Sequence, residues 1–150
     1  MSYVKDLLTG VAQMISDSSI AVYKPAGAYS SADNAIVFGV WPQTPDRCIV
    51  LNYTPVTLGT MIPMERGILE VHVRGTAGDP FDATETASAV RDLLQGLRGK
   101  RLGSANIIQA LHNNSVPLVQ DTNRRFEHVE TFILDVDTPP TVNRPDGGWD

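Results

Sequence analysis

Three histidines, one cysteine and two acid-and-base clusters are the residues of this chain whose types could do chemistry. His72, His112 and His128 fall on three different expected strands, and a zinc ion can take histidines from separate elements. Their spacing matches no metal-ligand motif, and each also suits a half-buried sheet position. Cys48 beside a histidine could be a nucleophile, but it lies inside the apolar run Cys48 to Leu51, where a thiol is an inert small hydrophobe. Gly75-Thr-Ala-Gly78 ahead of a helix could hold an anion on its amides. Asp79, Asp82 and Glu85 follow at once and would repel the same ligand. Arg124-Arg125 beside Asp121 has two open readings. It is a phosphate or protein contact, or a turn closed by the aspartate's own hydrogen bonds. Arg98-Gly-Lys-Arg101 reads as the charged end of a helix. Phosphate-loop, dinucleotide, serine-elbow, zincin and CxxC motifs are all missing from the sequence. The expectation is no catalytic, metal or cofactor site and no enzyme.

The elements that must carry these residues follow from periodicity. Val4, Leu7, Leu8, Val11 and Ile15 form one helical face over residues 3–16, with Ser2 as N-cap. Short strands are expected at 20–23, 35–41 and 47–53. Residues 67–74 alternate, with Ile68, Glu70, His72 and Arg74 on one face and Leu69, Val71 and Val73 on the other. Asp79-Pro80 opens a second helix running to about Leu97, with Val90, Leu93, Leu94 and Leu97 on its apolar face. Residues 106–112 form a strand, Asn113-Asn114-Ser115 a turn, and 117–120 a short irregular piece. The last strand, 125–137, places Phe126, His128, Glu130, Phe132, Leu134 and Val136 together. The sum is an α+β fold, order α-β-β-β-β-α-β-β, with a mixed, mainly antiparallel sheet and two helices on one face. Residues 1–137 are expected to be one domain and 138–150 a flexible tail, rich in Pro and Gly.

Composition narrows the partners. The chain has 150 residues, a net charge of −5 and one cysteine. That is ample for a core without staples and offers no basic field to nucleic acid. A reducing cytoplasm suits the lone thiol, and neither a signal peptide nor an apolar run of membrane length is visible. The connection 54–65 is unusual in carrying Leu58, Met61, Ile62 and Met64, as a contact surface would.

The order of several motifs is familiar. A strand ending in Trp41-Pro42 leads to Pro45-Asp-Arg-Cys-Ile-Val-Leu51, then Leu69-Glu-Val-His-Val-Arg-Gly75. A helix ending in Leu93-Leu94-Gln-Gly-Leu97, an Asp121-Thr-Asn-Arg124 turn and a long final strand follow. Over residues 3–140 this resembles the tail terminator (minor capsid or tail completion) proteins of long, non-contractile-tailed bacteriophages. The resemblance implies a structural virion protein at the head-proximal end of the tail, assembled in the host cytoplasm. It implies a homohexameric ring that caps the tail tube protein, stops polymerisation and docks the head-completion or neck protein. DNA would pass through an acidic lumen without specific binding, and no membrane is involved. Expected contacts are Leu58, Met61, Ile62, Met64, Arg74, Asp121, Arg124 and Arg125. The alternatives are a head-closure or neck adaptor and, from another class, a small-molecule-binding or hydrolytic domain.

Overall fold

The computed structural model describes residues 2–58 and 64–143. Its elements run α1 (Tyr3–Asp17), β1 (Ala35–Phe38), β2 (Cys48–Leu58), β3 (Met64–Arg74), α2 (Asp82–Leu94), β4 (Arg98–Leu102), β5 (Ala105–Leu118) and β6 (Glu127–Asp137). The strands form one six-stranded sheet in the order β1-β2-β3-β6-β5-β4. Among the described strands β1 and β2 pair parallel, and the other ladders are antiparallel. The α+β class and the mixed, mainly antiparallel sheet are as expected.

Both helices cover the same face, because the alternation of the central strands gives that face its apolar residues. Ile49, Leu51, Leu69, Val71, Val73, Phe132 and Leu134 are buried there against Leu7, Val11 and Ile15 of α1 and Ala87, Val90 and Leu94 of α2. Ser2 caps α1 as its position predicts, its hydroxyl accepting from the Val4 amide at 3.2 Å. Gly10 has a packing role: a Cβ there would stand 2.7 Å from Leu102, so its absence lets β4 lie close under the helix.

Several local expectations change. The strand at 20–23 is only a bridge, Val22 to Ala35. Arg98–Leu102 is a sheet edge strand instead of a helix end; a charged edge discourages pairing with other chains, so the composition suits it. The break expected at Asn113-Asn114 is absorbed by an irregularity between His112 and Asn114, and β5 runs through it. Helix α2 starts at Asp82, with Phe81 at the cap position and no side-chain cap bond. Asp79 instead closes a turn, accepting from the Phe81 amide at 2.9 Å. The 54–65 connection is mostly hairpin: β2 reaches Leu58 and β3 begins at Met64. Met61 and Ile62 lie outside the described residues, as do residues 144–150 of the expected tail.

Candidate functional site

Arg74, Asp121 and Arg125 come together, around the loop that joins the parallel strands β1 and β2. That loop must carry the chain back along β1 before β2 can start. Arg74 is buried at the end of β3, and its guanidinium donates to the carbonyls of Pro42 (2.7 Å), Pro45 (2.8 Å) and Asp46 (2.8 Å). It also stacks on Trp41, 5.0 Å from the ring centre. Arg125, equally buried, donates to the Gln43 carbonyl at 2.7 Å and to Asp121 at 2.9 Å. Asp121 in turn accepts from the Asn123 and Arg125 amides. The two arginines thus clasp residues 42–46 from inside the subunit. Arg124 points elsewhere: it is exposed, adopts φ 64°, and its carbonyl accepts from the Gly78 amide. Among the described residues it makes no ion pair.

At the turn end of the β2–β3 hairpin, Met64 is exposed but its neighbour Glu65 is buried. Glu65 accepts from Tyr53 at 2.9 Å and Tyr3 at 2.7 Å, tying both strands to α1. Burial, then the bond to Glu65, push the Tyr53 hydroxyl far above its usual pKa. The Tyr53 ring lies on Gly67, where a Cβ would meet its hydroxyl at 2.3 Å. Gly67→Ala is therefore expected to lower stability by about 1–3 kcal/mol, as overpacking does. Urea titration of the variant measures this.

The histidines divide between the two faces. His72 sits on the open face beside Glu70, 3.3 Å away. His112 and His128 converge on Glu130 under α2. Glu130 is fully buried; its Oε2 lies 2.5 Å from His112 Nε2, and its Oε1 accepts from Ser115 at 2.8 Å. Ser115 also contacts His128 Nε2 at 2.8 Å, and Arg91 stands 3.7 Å from the carboxylate. Sequence reasoning missed this cluster, although Glu130 alternates with His128 and Phe132 on the apolar face. Among the described residues no three His, Cys, Asp or Glu side chains are spaced to hold a metal. Burial pushes the Cys48 thiol up to about 11, which suits a core residue and not a nucleophile.

The Gly75–Gly78 amides are in part already used. Asp82 accepts from the Thr76 amide at 2.8 Å and pairs with Arg47 at 2.9 Å. Burial alone would raise the Asp82 carboxyl, but the Thr76 amide and Arg47 outweigh it and hold it below its ordinary value. Asp121 is held down likewise: burial opposes, while the Arg125 amide and guanidinium prevail. Carboxyls lowered in the folded state stabilise fully above their unfolded value and lose that contribution as pH falls from there through the lower folded value. Stability should drain as pH falls below about 4–5, and Asp82→Asn should flatten that slope in denaturant titrations across this range.

Two surfaces remain largely open, the first of them covered only in part, where Trp41 packs on His72. The sheet face opposite the helices aligns Ile68, Ile133 and Leu111 in one row across β3, β6 and β5, and His72, Val129 and Val116 in another. On the helix side, a groove of about 460 Å³ between α1 and the end of β1 is lined by Val4, Lys5, Leu8, Tyr23 and Phe38. A second groove of about 480 Å³ mixes polar groups, Asp6, Gln13 and Lys100, with Met14 and Leu102. A third, about 250 Å³, lies by Trp41 and His72. His112, His128 and Asp121 line none of these three, so the acid-base residues do not converge on them.

No family model matches the chain, and no curated protein matches it. Among solved structures, its α+β fold is shared with a chain of one described as "Virion of native gene transfer agent (GTA) particle". The TM-score is 0.65 at 16% identity, over 87% of this chain and 94% of that one. At that identity the likeness is one of fold.

Proposed function

We infer that the protein is a structural component of a phage-like virion, and within it the tail terminator. The observation that carries this reading is the shared fold: it spans 94% of a chain from a gene transfer agent virion. The motif order from Trp41-Pro42 to the Asp121-Thr-Asn-Arg124 turn supports the finer role. So does the use of the polar clusters. Arg74, Arg125 and Glu130 spend their hydrogen bonds inside the subunit, as scaffold residues do.

In this role six copies close a ring on the last ring of the tail tube. The ring ends tube growth and presents its other side to the neck. Such a closed ring needs two different surfaces on each subunit that fit one another. Contacts with tube and neck fall to the exposed Met64 and Arg124, and with them, from the sequence alone, to Leu58, Met61 and Ile62. The clasp of Arg74, Asp121 and Arg125 shapes the neighbouring 42–46 loop. The acidic balance, −5 at neutral pH, lets packaged DNA pass without sticking.

Mixing the purified protein with preassembled tail tubes tests this. Negative-stain electron microscopy should show a hexameric ring at one tube end only, with added tube subunits no longer extending that end. Binding to a portal-side neck complex and not to tubes would favour a head-closure adaptor instead.

A further inference from the structure

We propose that the open face of the sheet seats in the α1–β1 groove of the next copy, and that this head-to-tail contact closes the ring. The proposal rests on the ring reading above and adds the surfaces that make it.

An antiparallel sheet with one face in water normally carries polar residues there. Here two cross-strand rows are largely apolar. Register places Ile68 beside Ile133 and Ile133 beside Leu111; the next apolar pair is Val129 with Val116. Leu111 and Val116 are 43% and 39% exposed. Between the rows runs a polar line, Glu70, Thr131 and Asn114. The loops around Trp41 and Tyr29 cover the β1–β2 end of this face, and the Trp41 ring reaches His72 of β3 at 6.3 Å; the β6–β5 side stays open. Two partly exposed apolar rows on a sheet face, even parted by one polar line, mark a contact surface.

The groove is its counterpart. Val4 and Leu8 of α1 face Tyr23 and Phe38, whose rings meet edge to face at 5.8 Å. Lys5 is exposed at the rim and makes no ion pair among the described residues. The groove is thus apolar with a positive edge, and the open face is two apolar rows with the Glu70 carboxylate between them, beside His72. Charge and character match.

The two surfaces lie on opposite layers of the subunit, so they cannot meet within one molecule. They can meet between two, and each copy then keeps one strip and one groove free for a further copy. That is a head-to-tail contact, which makes a ring where the rotation per copy closes, and not a two-fold dimer. Pairing strip to strip would give a closed dimer, and Glu70 would then face Glu70 across the contact.

Cysteine cross-linking decides between these arrangements, because the native thiol Cys48 is buried and silent. Thr9→Cys, in the groove lining, and Leu111→Cys, in the open face, replace partly exposed side chains and leave Lys5 in place, so both variants should fold. Mixed at high concentration with a short bifunctional thiol reagent, they should give a covalent heterodimer. A chain carrying both should give a ladder of covalent oligomers. Adding Val116→Glu should abolish both products. A Leu111→Cys homodimer formed by that variant alone, or no linkage in the mixture, would overturn the proposal. The outcomes separate from the tail role. Linkage with no ring on tubes would leave the contact standing and the terminator reading lost; rings on tubes without linkage would do the reverse.

Discussion

Replacing Arg74 by alanine should destabilise the fold by about 3–5 kcal/mol, among the largest effects of any single substitution. The side chain is 3% exposed and gives hydrogen bonds to three backbone carbonyls of the 42–46 loop. Bonds to a charged donor contribute about 1.5–3 kcal/mol each, and a carbonyl left buried without a partner loses its solvation as well. Burial lowers the Arg74 pKa, and the Arg125 charge adds to this, yet a guanidinium stays charged under any ordinary condition. The three carbonyls are what make that buried charge tolerable. Arg74→Lys should recover little, since an ammonium cannot span three carbonyls as a planar fork does. Guanidinium chloride melts of both variants measure this. A stable Arg74→Ala protein that merely failed to assemble would return Arg74 to the role of a direct contact.

The second large effect belongs to Glu130. Its carboxylate holds His112, Ser115 and His128 under α2, with Arg91 at the rim. Glu130→Ala leaves those groups buried or half-buried without their acceptor and opens a cavity. Breaking a buried charged cluster by removing one partner destabilises by about 3–5 kcal/mol. Glu130→Gln keeps volume and one acceptor oxygen, so it should lose less. Hydrogen exchange should localise the loss: amides of α2 and β5 should open before those of β2 and β3.

Where one face of an element is apolar and its neighbours are local, the sequence was readable. Helix α1 was legible from Val4 to Ile15 with its Ser2 cap, and β6 from its unbroken alternation. The face assignment of 67–74 held for the same reason. Strand β4 was hidden, because Arg98-Gly-Lys-Arg101 has no apolar period and pairs only as an edge. The Asn113-Asn114 break misled because a bulge let β5 continue. Arg74 looked like a surface residue at the end of a polar face. Its burial depends on the 42–46 loop, some thirty residues earlier, folding back over it. Glu130 was legible in part, as an acid in an apolar alternation, but its partners come from β5 and α2. The open sheet face read as largely polar from Ile68, Glu70, His72 and Arg74; its apolar rows required the register that brings β3, β6 and β5 side by side.

The central claim, a structural protein that ends tail growth, is tested most directly by the length of tails assembled without it. Electron microscopy of particles made with this gene deleted should show tails of widely varying length, with few joined to heads. A plasmid copy should restore one length. Tails of uniform, normal length in the deletion would contradict the account.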